Sequence, residues 1–148
     1  MATMGFRPYP GPIADRIVHL PEAATQTSDQ GDLVIISSGK VAVATDDDDV
    51  FGIAMRDASG TTDTMIPVYV IHASDKFIAE ASTTTAETNK GVAYALVMTS
   101  GSMAVNPGST TTAAFYIEKL DPRDGPTTGA GGRVIGRFVY TSLDSIGG

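Results

Sequence analysis

From Asp29 onward, short apolar runs alternate with clusters of turn-forming residues, a period-two pattern that predicts strands. "DLVIIS" and "KVAVAT" flank Ser38-Gly39, which predicts a hairpin turning at that pair. "VFGIAM" carries Gly52, the mark of a bulge or a close backbone approach. "MIPVYVIH", "DKFIAEA", "VAYALVM", "AAFYIEKL" and "GRVIGRFVY" complete the set of candidate strands. Within them Val92, Tyr94, Leu96 and Met98 share one face, as do Val134, Gly136, Phe138 and Tyr140. One helical signal interrupts the pattern. Thr84-Thr85-Ala86-Glu87 reads as a capping box and Gly91 as a stop, for about two turns of helix. No internal repeat is visible. The expectation is an all-β domain, a barrel or a sandwich.

Residues 1 to 21 break the pattern. Pro8, Pro10, Pro12 and Pro21 alternate with Phe6, Tyr9, Ile13, Ile17 and Val18. Each proline fixes its own φ and pushes its predecessor towards an extended shape. The segment is therefore expected to be an extended arm, 1–21, attached to a single β domain, 22–148. Its apolar anchors, without neighbours enough for a core, favour an arm that lies on another protein over a frayed terminus. On that reading Phe6, Arg7, Tyr9, Ile13, Arg16 and Ile17 make the contact, with strand pairing in Ala14 to His19. Deleting residues 2 to 20 is then expected to leave a folded body.

Composition narrows the function. The net charge of −7 and ten dispersed basic residues argue against nucleic acid as a partner, since that role needs a basic face. The absence of cysteine excludes thiolate catalysis and disulfides. The start "MATMGFRPYPGP" has no apolar h-region, and "MIPVYVI" is far too short for a membrane span. No membrane partner is expected.

Candidate chemistry fails at each point where it could begin. Asp46 to Asp49 lack the alternation, the sixth-position glycine and the twelfth-position glutamate of an EF-hand. The run reads as a solvated loop, with weak divalent binding as the alternative and no specific metal site expected. "GDLVIISSGKV" has the wrong spacing and no helix for a phosphate loop, and "TGAGGRVIG" leads into a strand. His19 and His72 stand without a nucleophile-elbow motif. The tyrosine-bearing element of trimeric all-β nucleotide hydrolases is missing. No enzyme and no cofactor are expected.

The order of segments carries a resemblance. "QGDLVIISSGKVAVATDDDDVFGIAMRDAS" resembles the opening of the decoration, or cement, proteins of tailed bacteriophages, where a Gly-Asp-Leu-Val strand, a Gly-Lys hairpin and a Gly-Ile-Ala strand succeed one another. "TAETNKGVAYALV" and "FYIEKLDPRD…GGRVIGRFV" are similar to later segments of the same group, and together the likeness spans about residues 25 to 141. The resemblance implies a compact, barrel-like β-tulip fold, often a homotrimer, on the outer surface of the virion. There it clamps neighbouring subunits of the major capsid protein and stabilises the expanded head. Synthesis in the bacterial cytoplasm is implied with it. The rival reading is a receptor- or carbohydrate-binding module of a phage head or tail, which exposed aromatic rings would favour.

Overall fold

A computed structural model describes residues 5–45, 50–72, 74–99 and 101–139. Asp46 to Asp49 and Tyr140 lie outside the described residues, so the reading of the aspartate run is not addressed by the fold.

The chain is all-β. Its strands are β1 (Arg7–Pro8), β2 (Ile17–Pro21), β3 (Leu33–Ser37), β4 (Lys40–Val43), β5 (Gly52–Ala54), β6 (Met65–Val70), β7 (Phe77–Glu80), β8 (Val92–Val97), β9 (Ala104–Asn106), β10 (Phe115–Leu120) and β11 (Arg133–Phe138). Every segment predicted as a strand contains one. The β3–β4 hairpin turns where Ser38 and Gly39 both adopt positive φ, 51° and 78°, the geometry that matches the twist of paired strands. Tyr94 and Leu96 face the core with Val92 and Met98 against it, and Val134 and Phe138 do the same. The predicted helix is a single 3-10 turn, Glu87–Asn89. Its cap is Asn89, whose Oδ1 accepts the Ala86 N–H at 2.6 Å. The threonines expected to cap it instead fasten the loop before β11: Thr85 Oγ1 accepts the Thr127 N–H and Thr84 Oγ1 the Gly129 N–H.

The strands form two antiparallel sheets, one in the order β2-β6-β5-β3-β4 and the other β1-β7-β11-β10-β8-β9. Setting β1 aside, the second order repeats the first strand for strand. The hydrogen bonds repeat as well. Gly31 N–H donates to Ala54 O at 2.8 Å, and Gly91 N–H to Ile117 O at 2.8 Å. Phe51 N–H reaches Val34 O at 2.9 Å, matching Ala114 N–H to Tyr94 O at 2.9 Å. Glu22 N–H binds Thr64 O at 2.9 Å, as Ala81 N–H binds Gly132 O at 2.8 Å. Each sheet also curls until the residue after its first strand meets its last strand, through the parallel bridges Glu22↔Val41 and Ala81↔Val105. The chain thus contains the same five-stranded unit twice, residues 17–71 and 76–139. The expectation of no repeat is corrected. Its cause is that the units share backbone register and little else: Ile53 stands where Tyr116 does, and Tyr69 where Arg137 does.

Val34, Val41, Ala54, Ile66 and Val68 form a buried cluster inside the first unit. The main core joins the two units: Leu33, Ile53, Tyr69 and Ile71 of the first contact the rings and aliphatic groups of the second. Tyr69 and Phe77 meet edge to face at 6.0 Å. Gly52 permits the tight β5–β6 approach, because a Cβ there would lie 2.5 Å from Tyr69 O.

The division into arm and body does not hold among the described residues. Phe6 is 1% exposed and its ring lies 5.6 Å from that of Phe115 and 5.3 Å from that of Phe138. β1 pairs with β7, and β2 along its whole length with Met65 to Tyr69 of β6. The segment is extended, as its prolines require, but its anchors find their neighbours within the same chain. Removing residues 2 to 20 takes away β1 from one sheet, most of β2 from the other and a ring from the main core, so the truncated chain should show no cooperative thermal transition by circular dichroism. Phe6→Ala should lower unfolding free energy by about 3–5 kcal/mol in denaturant titration.

Candidate functional site

The six residues proposed as a contact surface divide sharply. Phe6 is in the core, and Ile17 packs against the core opposite Tyr69. Arg16 is committed to Asp75, with Nε at 3.0 Å from Oδ2 and Nη2 at 3.3 Å from Oδ1. That fork raises the Arg16 pKa further above its ordinary value and holds the charge permanently. Phe6 is corrected by its burial, whereas Arg16 and Ile17 stay half-buried, the one in its ion pair and the other against the core. Arg7 is exposed on β1, and Tyr9 is half-buried under the Lys119 ammonium, 5.7 Å from its ring centre. Ile13 is 50% exposed although its N–H donates to the Tyr69 hydroxyl at 3.2 Å.

The outward side of this segment is therefore a ridge of Arg7, Tyr9, Pro10, Pro12 and Ile13. Behind it runs a groove of about 530 Å³, with Arg7, Pro10 and Pro12 on one wall and Gln30, Ile53 and Met55 on the other. Two contacts hold the ridge in place. Tyr9 N–H donates to Lys76 O and Phe6 N–H to Gly31 O, both at 2.9 Å. Since one anchor belongs to each unit, the ridge is positioned by both. An apolar, proline-stiffened crest with one cation and one aromatic ring suits protein contact better than turnover of a small molecule.

Three acids that no sequence motif marks are the most buried charges among the described residues. Glu22 is 0% exposed and accepts the N–H groups of Ser59 at 3.0 Å and Gly60 at 3.1 Å. Asp32 accepts from Asp29 at 2.9 Å and from Gly101 at 3.0 Å. Asp121 receives Arg123 Nη2 at 2.7 Å, and this hydrogen bond lowers its pKa. Each sits at the end of an apolar run, after Pro21, before Leu33 and after Leu120. That placement was the available signal. An acid at a strand end meets a turn, where free N–H groups gather.

Asp121 belongs to a larger latch. Arg133 binds Asp124 through Nε at 2.8 Å and Nη2 at 2.7 Å, and lies 3.6 Å from Asp121. The guanidinium of Arg133 holds the Asp124 carboxyl down at about 2. Arg137, by contrast, lies over the Tyr116 ring at 5.4 Å. Among the described residues no three His, Cys, Asp or Glu side chains converge on a possible ion site. His72 is half-buried and its N–H faces Asp75 Oδ2 at 3.4 Å; His19 is exposed on β2.

The latch has a pH signature. The folded pKa of Asp124 lies below its ordinary value of 3.8, so its contribution is complete above that value and is lost as pH falls through about 2. The melting temperature of the native protein should exceed that of Asp124→Asn at neutral pH, with the gap closing between about pH 4 and pH 2. A gap independent of pH would mean that the ion pair contributes nothing.

No protein-family model, curated protein or solved structure matches this chain.

Proposed function

We propose that the chain is a structural protein of tailed-phage virions, a decoration protein and not an enzyme. It binds the outer surface of the expanded head as a homotrimer and clamps neighbouring subunits of the major capsid protein. On this reading it is made in the host cytoplasm and ends on the virion exterior. The curl of each sheet is the feature that would correspond to the barrel-like β-tulip fold.

One observation carries the reading. The residues behind the resemblance to decoration proteins fall where the chain's geometry is most demanding. Asp32 ties the entry of β3 to Gly101. Gly39 turns the hairpin, and Gly52 lets β5 approach β6. Asp121 and Pro122 end β10, with Asp121 3% exposed and held by Arg123. A shared pattern of this kind concerns fold rather than incidental composition, which is what supports carrying the role across.

The physical requirements of a clamp support it as well. A clamp needs a body that does not deform and an exposed face that is already shaped before contact, so that little ordering entropy is lost on docking. The ridge from Arg7 to Ile13, stiffened by prolines and fixed to both units, has that character. It replaces the free arm as the proposed attachment surface, with Arg7, Tyr9 and Ile13 as its contact side chains. The negative net charge keeps particles carrying many copies apart.

Expanded heads assembled from the major capsid protein of the same genome should sediment with the protein and resist heat better for it; unexpanded shells should not. An Arg7→Glu/Ile13→Asp variant should keep its own melting temperature and bind at least tenfold more weakly, or about 1.4 kcal/mol. Expanded heads that never retain the protein would end the proposal.

A further inference from the structure

The sequence contains one Asp-Gly step, Asp124-Gly125, and no Asn-Gly step. Such a step carries a chemistry of its own. The glycine nitrogen can attack the aspartate Cγ, because no side chain on the glycine obstructs the approach and its backbone turns freely. The new C–N bond closes a succinimide ring as the nitrogen gives up its proton and the carboxyl an oxygen, together one water. Water then adds back at either ring carbonyl. Addition at Cγ restores aspartate, whereas addition at the former main-chain carbonyl leaves an isoaspartyl link, with the mass of the chain unchanged. The first step thus needs a nitrogen free to move, a carboxyl free to rotate and a proton on that carboxyl.

The fold withholds all of these. Gly125 N–H donates to Asp121 O at 3.0 Å, in a turn where Asp124 N–H uses the same acceptor at 2.9 Å. The Asp124 carboxyl is gripped by Arg133 alone. Oδ2 accepts its main-chain N–H at 2.9 Å and its Nε at 2.8 Å, and Oδ1 accepts Nη2 at 2.7 Å. Rotating Cγ towards the Gly125 nitrogen would break these bonds together. The guanidinium also holds the carboxyl ionised, down at about 2, a form from which an oxygen leaves poorly. The other charges facing the pair are Arg123 and Asp121 in the same loop and Glu80, opposite Arg133 on β7. Asp124 and Arg133 line a surface hollow with Glu80 and Thr127, so water reaches the step and only position restrains it.

We infer that Asp124-Gly125 is a latent site of spontaneous isoaspartate formation, which the fork of Arg133 keeps silent in the folded chain. The modification, once made, removes its own restraint. The isoaspartyl link lengthens the backbone by one carbon and leaves the carboxyl directly on Cα, too short and out of register for the Arg133 fork. Asp124 follows β10 and Arg133 begins β11, so the change unfastens the connection between two paired strands. This inference stands apart from the decoration-protein reading, since no partner enters it.

The test follows isoaspartate at position 124 by peptide mapping, in which the modified peptide separates from its unmodified twin at equal mass. Native protein, Arg133→Gln and Arg16→Gln are aged side by side at neutral pH. Arg16→Gln is the control, because it removes a similar fork from Asp75, which precedes a lysine. Arg133→Gln should form isoaspartate at least tenfold faster than the native protein, and Arg16→Gln at the native rate. A second comparison does not depend on how Arg133→Gln folds: in urea the native chain should react at position 124 at least tenfold faster than when folded. Equal rates in the native protein and Arg133→Gln, or in the folded and unfolded native chain, would overturn the inference. An equal rise in Arg16→Gln would overturn it too, by assigning the protection to overall stability instead of to the fork.

Discussion

The fold depends on one packing event, the meeting of the apolar outer face of the first unit with the aromatic cluster of the second. Leu33, Ile53 and Tyr69 lose nearly all contact with water there, and Phe6, Phe77, Phe115 and Phe138 supply the opposing surface. Rings 5.2 to 6.0 Å apart, tilted or edge to face, add directional preference to the burial of area. Remove this contact and the first unit retains only its own small cluster. The first unit would rely on valines, Ile66 and an alanine, too little for a sheet of that size to stand alone. The N-terminal ring at the centre of the contact explains why the leader cannot be separated from the body.

The repeated unit shows how far backbone and side chain can diverge. Antiparallel register, the curl and the parallel bridge are kept in both halves, while the outer faces have opposite character. The first half presents Ile53 and Tyr69 and is covered; the second presents Tyr116 and Arg137 and faces solvent. Identical outer faces would leave a second apolar surface bare, an invitation to aggregation. The exchange of Tyr69 for Arg137 at matching places is therefore the change that leaves the second outer face polar.

Much of this architecture is legible in the sequence because strand signals are local. The alternation of Val92, Tyr94, Leu96 and Met98 needs no knowledge of partners, nor does the Ser38-Gly39 turn. What escaped were properties set by distant neighbours. β9 is a three-residue strand defined by its bond to β8, and β1 has only two residues and a proline. The leader looked unable to fold because its anchors are apolar side chains among prolines, yet the cavity that receives Phe6 is built by residues more than a hundred positions away. Arg16 carries no mark of its pairing with Asp75. For the candidate surface, Arg7 and Ile13 are exposed as their place in the segment suggested, while Tyr9 is half-buried under Lys119.

The placement of the first and last of the described strands has a mechanical result. β1 and β11 flank β7 on its two sides, both antiparallel to it, so they run parallel to each other. Tension applied between the two chain ends would load the bonds along β7 sideways and together, not one after another as in an opening zipper. The whole of the first unit lies between these strands in the chain, and would be shielded from such a pull until β7 gave way.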